Sequence, residues 1–187
     1  MQTLFVLLGL AGALAAPPPP APVSLTDAEE AILRKGGVLV RYGGDARQTL
    51  AVVDVAASPD QVMQAVMDLP ARVDDIGSLS AVELYDRNGD NICAKWTMSV
   101  AMIPVVFHIR YECDMALGWC VYSLDPTKDN SIESSNGSYQ TYRHHSGTRL
   151  VYRTDSIAAG APEWVRKKLA GSAAKEMLGG MKTRAER

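Results

Sequence analysis

From about residue 38 onward, apolar and polar side chains alternate along the chain. Ala94, Trp96, Met98 and Val100 are separated by Lys95, Thr97 and Ser99, and Phe107, Ile109, Tyr111 and Cys113 by His108, Arg110 and Glu112. A period of two puts one set on each face of a strand, so the first set of each pair faces inward and Met102 continues the inward row. The pattern predicts strands over 38–42, 49–56, 81–85, 92–102, 105–114, 119–125, 132–143 and 148–155. Asn88-Gly89 and His144-His145-Ser146-Gly147 supply hairpin turns.

Helical spacing interrupts the strands in three places. Thr26-x-x-Glu29 has the capping-box spacing and Gly36-Gly37 a stop. Ser58-Pro59-Asp60 is a helix start followed by Val62, Ala65, Val66 and Leu69; Pro70 breaks the run before a short irregular helix through 73–76. A long helix is predicted from about Pro162 to Ala185, with Val165, Leu169, Ala173, Met177 and Met181 as its inward stripe. Gly171, Ser172, Ala174, Gly179 and Gly180 thin that helix, which allows close packing or leaves room for something else.

The 187 residues, 47% hydrophobic and 21% charged, suffice for one domain with a sizeable core. A net charge of −2 without a run of like charges argues against nucleic-acid binding. Residues 2–16 are apolar, too short to span a bilayer, and end in Ala13-Leu14-Ala15, the small-x-small pattern of a secretory cleavage site. A cleaved leader over 1–16 is therefore expected, with an uncleaved anchoring stretch or a disordered start as alternatives. A stiff Pro-rich spacer over 17–23 would follow, and a single domain over 24–187. The mature protein would be secreted or periplasmic, without stable membrane insertion, and monomeric.

Candidate chemistry is sparse. Three cysteines leave at least one thiol unpaired within the chain. Cys113 and Cys120 flank a turn at Ala116-Leu117-Gly118, and a disulfide forms only if the loop has four residues; three buried, reduced cysteines are the favoured expectation. Asp86-x-Asn88-Gly89-Asp90 lacks the glutamate and the glycine position of a calcium loop, so no metal is expected there. Arg72, Asp74 and Asp75 are the acid–base candidates near a cavity mouth, while His108 faces outward. No catalytic residue, cofactor or metal ligand is assigned.

In order, the Ser58-Pro59-Asp60-Gln61-Val62 helix start, the long meander, the Gly137…Gly147-Thr148-Arg149-Leu150-Val151-Tyr152 hairpin and the terminal helix make the chain resemble the START-like (SRPBCC) helix-grip superfamily. Within it, the polyketide cyclase/dehydrase and coenzyme-Q-binding-like group is the nearest in pattern. The resemblance runs from about Val38 to Ala185. It implies an α+β fold, about seven antiparallel strands curved around the C-terminal helix, with short helices after the first long strand. It also implies an internal cavity for a lipid, quinone, sterol or polyketide-like molecule. One departure is the segment Asp68–Ile76, acidic and without aromatics where the group often places a cavity-shaping aromatic stretch.

The inward rows then nominate the cavity lining. Strands offer Trp96, Met98 and Val100, then Phe107, Ile109 and Tyr111, then Tyr122, Tyr139 and Tyr152; the helix offers Leu169, Ala173 and Met177. Several buried indole N–H and phenol O–H groups facing one interior need partners, either one another or a ligand. Binding or transport of an apolar small molecule is the favoured function. The alternatives are a cyclase/dehydrase-type enzyme and a protein-interaction module with a filled core.

Overall fold

The computed structural model describes residues 19–20, 22–43, 47–100, 102–157 and 163–187, with the side chains of Val100, Ile103 and 163–170 outside that description. The segment expected to be a leader (1–16) and most of the expected spacer lie outside the described residues, as do the side chains of Val100, Val165 and Leu169. Val23, expected within a spacer lacking core-forming residues, instead packs against an apolar cluster on the sheet.

The chain runs α1 (Asp27–Arg34), β1 (Leu39–Gly43), β2 (Gln48–Val55), α2 (Pro59–Met67), α3 (Arg72–Asp75), β3 (Leu79–Asn88), β4 (Asn91–Val100), β5 (Ile103–Asp114), β6 (Trp119–Leu124), β7 (Ser134–His144), β8 (Gly147–Ile157) and α4 (Glu163–Ala185). The eight strands form one antiparallel curved sheet in the order β1-β2-β8-β7-β6-β5-β4-β3. Among the described residues the strand count is thus eight, not about seven. The capping box predicted at Thr26 and Glu29 forms, and the predicted helix start at Ser58 adds a second, with Gln61, so each helix start satisfies backbone donors that would otherwise be orphaned.

Strand alternation sorts the side chains as expected. Ala51, Val53, Val55, Ile92, Ala94, Trp96, Ile109 and Tyr111 join Met177, Leu178 and Met181 of α4 in one core between sheet and helix. Fully burying each Leu, Met or Val contributes about 1.5–3 kcal/mol. The inward stripe of α4 is wider than predicted, because Ala174, Leu178 and Ala185 are buried beside Met177 and Met181, with Ala173 half-buried. On the opposite face of the sheet, Leu33 of α1 packs with Leu39, Val52 and Val151. Arg149 fixes α1 there: its Nε donates to Asp54 Oδ1 at 2.7 Å and its Nη1 to Glu30 Oε1 at 2.6 Å.

Three further expectations are corrected. Strand β4 ends at Val100 and β5 starts at Ile103; Met102, just before β5, takes the left-handed conformation, φ 67°, and is 94% exposed rather than inward. Four residues, Met115 to Gly118, join β5 to β6; that register sets Cys113 opposite Cys120, and the two form a disulfide. Cys93 remains a free thiol, half-buried. The third correction concerns Arg72 and Asp75, which are not solvated mouth residues. Arg72 is fully buried, and Asp75 accepts hydrogen bonds from Arg72 and from both terminal nitrogens of Arg184 on α4, the latter at 2.7 Å each.

The glycines that thin α4 include one that serves this clamp. A Cβ at Gly180 would stand 1.8 Å from Asp75 Oδ1. Gly180→Ala should therefore displace the carboxylate from its arginines and cost about 1–3 kcal/mol, read as a lowered urea midpoint with unchanged m-value. Gly179→Ala, which meets nothing within 4 Å, should be neutral or stabilising by helix propensity.

Candidate functional site: the interior of the grip

Four tyrosines meet on the concave face. Tyr111 of β5, Tyr122 of β6, Tyr139 of β7 and Tyr152 of β8 lie on adjacent strands, since the registers pair Tyr111 with Tyr122 and Tyr139 with Tyr152. Their ring centroids are 5.0–6.3 Å apart (Tyr111–Tyr122 5.7 Å, Tyr122–Tyr139 5.9 Å, Tyr122–Tyr152 6.3 Å, Tyr139–Tyr152 5.0 Å), within the range where aromatic pairs attract. Gly137 makes room for one of them: a Cβ there would come within 2.4 Å of the Tyr122 hydroxyl. The Tyr122 and Tyr152 hydroxyls share a hydrogen bond of 3.0 Å, and Tyr139 donates to Met177 Sδ at 3.4 Å. Burial pushes all four phenols above their ordinary value, Tyr111, Tyr122 and Tyr139 strongly, because the phenolate would lose its hydration. At neutral pH the cluster consists of neutral hydroxyls.

Trp96 and Phe107 stack beside this cluster, with ring centroids 6.1 Å apart. The indole N–H of Trp96 is buried and lacks a hydrogen-bond partner among the described residues. The Tyr111 phenol oxygen is close enough for that N–H to favour its phenolate, opposing the rise that burial causes, but the contact falls short of a hydrogen bond of normal geometry. A buried N–H in that condition forfeits about 1–3 kcal/mol relative to a satisfied one.

Below the tyrosines stands Arg72. Its Nη2 donates to the carbonyls of Ala65 at 2.8 Å and Val66 at 2.6 Å, closing the C-terminus of α2. Desolvation pushes its guanidinium pKa down, with Tyr139 and Asp75 opposing that shift and Arg184 adding to it. Two arginines share the single carboxylate of Asp75, so this end of the interior is electropositive. Nothing in the hydrophobic pattern marks Arg72 as internal. The available signal is that α2 has no glycine stop, so its last carbonyls need a donor, and Arg72 follows within reach.

Exposure along the inward rows shows which end of the grip is open. On β4, Ile92, Ala94 and Trp96 are buried and Met98 is half-buried; on β5, Tyr111 and Ile109 are buried and Phe107 is half-buried. Strand β8 repeats this, from buried Leu150 to half-buried Tyr152 and Thr154. The interior therefore opens toward the β4–β5 turn and the start of α4. Of the twelve nominated lining residues, Trp96, Met98, Phe107, Ile109, Tyr111, Tyr122, Tyr139, Tyr152, Ala173 and Met177 all belong to the core between sheet and helix; Val100 and Leu169 lie outside the described side chains.

Two further constellations lie outside this interior. Residues Arg41, Gly43, Gln48, Leu50, Asn136, Arg153 and Asp155 line a shallow groove of about 550 Å³; Leu50 and Arg41 place it on the α1 side of the sheet. Glu30, Asp54 and His144 bring ligand-type atoms together, but the Arg149 guanidinium hydrogen-bonds all three and fills the space between them.

No protein-family model matches the chain, and no curated protein matches it by sequence. Solved structures do match. A START superfamily protein from Mycobacterium smegmatis aligns with a TM-score of 0.61 at 17% identity, over 74% of this chain and 97% of that one. A STAR-related lipid transfer protein from Xanthomonas axonopodis gives 0.63 at 14% identity, over 80% of this chain and 93% of that one. The Zhui aromatase/cyclase from Streptomyces sp. R1128 gives 0.53 at 21% identity, over 74% and 85%. With its eight-stranded sheet curved around α4, the chain has the START-like (SRPBCC) helix-grip fold.

Proposed function

We propose that the protein binds an apolar small molecule bearing carbonyl or hydroxyl oxygens, such as a quinone- or polyketide-like compound, in the interior of the grip. One observation carries this reading: the Trp96 indole N–H is buried without a well-formed hydrogen bond to any described residue, beside four neutral phenols on a surface that opens at one end. A flat, oxygen-bearing ring system would stack against the aromatic rows and accept the unpaired hydrogen bond. Fold neighbours that include a lipid transfer protein and an aromatase/cyclase support an apolar ligand.

Binding or transport is preferred to cyclase-type chemistry because of the phenols. Held neutral by burial, they can donate to a ligand oxygen but cannot serve as bases near neutral pH. The apolar run over residues 1–16, read as a cleaved leader, extends the proposal to a secreted or periplasmic carrier.

Titrating the protein with 1,4-naphthoquinone tests this. A saturable, one-site change of tryptophan emission is expected, and native mass spectrometry of protein from its own host should show a co-purified small molecule. A linear, unsaturable response together with a mass spectrum of bare protein would overturn the assignment.

A further inference from the structure

The concave face changes character along β8. Its inward residues run Leu150, Tyr152, Thr154 and Ser156, apolar at the closed end of the grip and hydroxylic at the open one. The neighbouring strands repeat the change: Ser135 and Gly137 precede Tyr139 on β7, and Thr49 precedes Ala51 on β2. The registers bring these positions together, with Thr154 opposite both Thr49 and Gly137 and Ser156 opposite Ser135. Their hydroxyls connect. Ser135 Oγ lies 3.1 Å from Ser156 Oγ, which lies 3.0 Å from Thr154 Oγ1. The Thr154 hydroxyl in turn stands against the Tyr122 and Tyr152 phenols, favouring their ionised forms against the rise that burial causes.

Thr49 is the exception in this row. It is 3% exposed, yet its Oγ1 has no hydrogen-bond partner among the described residues. Valine would fill the same space on a strand and would bury no unpaired hydroxyl, so threonine at this position gains nothing within the empty fold. The facing wall of the open end is different, since the inward positions of β4 and β5 there are Met98 and Phe107, both half-buried. One wall is thus hydroxylic and the other apolar. Arg153 and Asp155 alternate to the opposite face of β8, so the inward residues of β2, β7 and β8 at this end carry no charge.

We propose that this row is a second subsite of the same interior, taking a neutral, hydroxyl-bearing end of the ligand whose ring system lies on the tyrosines. The inference rests on the binding function proposed above and narrows it to an amphipathic molecule with an uncharged polar end. A hydroxyl both donates and accepts, so it can extend the chain from Ser135 to Thr154 and also partner Thr49. A carboxylate only accepts, and would leave water for a row that offers no cation. A methyl group would leave the Thr49 hydroxyl unpaired.

Three naphthoquinones that differ only at the end of one arm test this by equilibrium dialysis: 2-hexyl-1,4-naphthoquinone, its 2-(5-hydroxypentyl) analogue and its 2-(4-carboxybutyl) analogue. In a wholly apolar interior the hydroxyl arm would bind about tenfold more weakly than the hexyl arm, because its hydroxyl loses water and gains nothing. Here it should bind at least as tightly as the hexyl arm, and the carboxylate more weakly than either. Thr49→Val should reverse the order of the hydroxyl and hexyl arms, whereas Ser138→Ala, on the other face of β7, should leave that order as it was. Without ligand, Thr49→Val should hold or raise the urea midpoint, so the reversal is read on a folded protein. A hydroxyl arm that binds about tenfold more weakly than hexyl in the unaltered chain overturns the proposal, as does an order that survives Thr49→Val or a midpoint that falls. Saturable binding of the hexyl compound without any favour for the hydroxyl removes this subsite alone. Failure of all three compounds to saturate removes the interior site itself, and the subsite with it.

Discussion

Replacing Arg72 by alanine is expected to destabilise the protein by about 3–5 kcal/mol, the range for breaking a buried charged pair by removing one partner. The side chain is fully buried, and three acceptors depend on it: the carbonyls of Ala65 and Val66 and the carboxylate of Asp75. Alanine would leave the carbonyls without a donor and open a cavity under the tyrosines. Asp75 would keep both bonds from Arg184, so the carboxylate itself is not orphaned and the lower half of the range is the better expectation. Urea denaturation of the two proteins at pH 7 measures it. A loss under about 1 kcal/mol would show that the guanidinium does not stabilise the fold, and would move Arg72 from scaffold to ligand site.

The second large effect concerns Trp96. Trp96→Phe keeps an aromatic ring stacked near Phe107 but removes the unpartnered indole N–H. If that group bonds a ligand oxygen, naphthoquinone affinity should fall about tenfold, the equivalent of roughly 1.4 kcal/mol for one neutral hydrogen bond. The unliganded protein should lose little, since no well-formed hydrogen bond to a described residue is broken. Trp119 also buries an unpartnered N–H, but the inward row of β6 is Cys120 and Tyr122, so Trp119 points to the other face. Trp119→Phe should leave affinity unchanged. Equilibrium dialysis reads both variants without relying on the fluorophore being replaced. Equal loss in the two would mean the effect is general to the fold and not local to the interior.

The sequence by itself determined the architecture: which segments are strands, which faces point inward, and where helices start. Those outcomes depend on local periodicity and capping chemistry. Ala94, Trp96, Ile109 and Tyr111 could be assigned to the core because a period of two admits one answer once a polar row is seen. Ser58 and Thr26 announced their helices because the capping bonds span only three residues.

Only the tertiary structure decided features that depend on register or on distant chain segments. The disulfide between Cys113 and Cys120 required knowing that the turn has four residues, a difference of one residue that periodicity does not resolve. Met102 sat in an inward row by alternation, yet the turn released it to solvent, since alternation holds only while the strand continues. Arg72 and Asp75, polar and next to a break in helical spacing, read as surface; they are buried because α4, more than a hundred residues later, supplies Arg184 and the flat surface of Gly180. The same holds for the site. The sequence named the tyrosines, but their convergence, and the N–H of Trp96 left without a partner among them, follow from the curvature of one sheet around one helix, which brings β4 through β8 to a common interior.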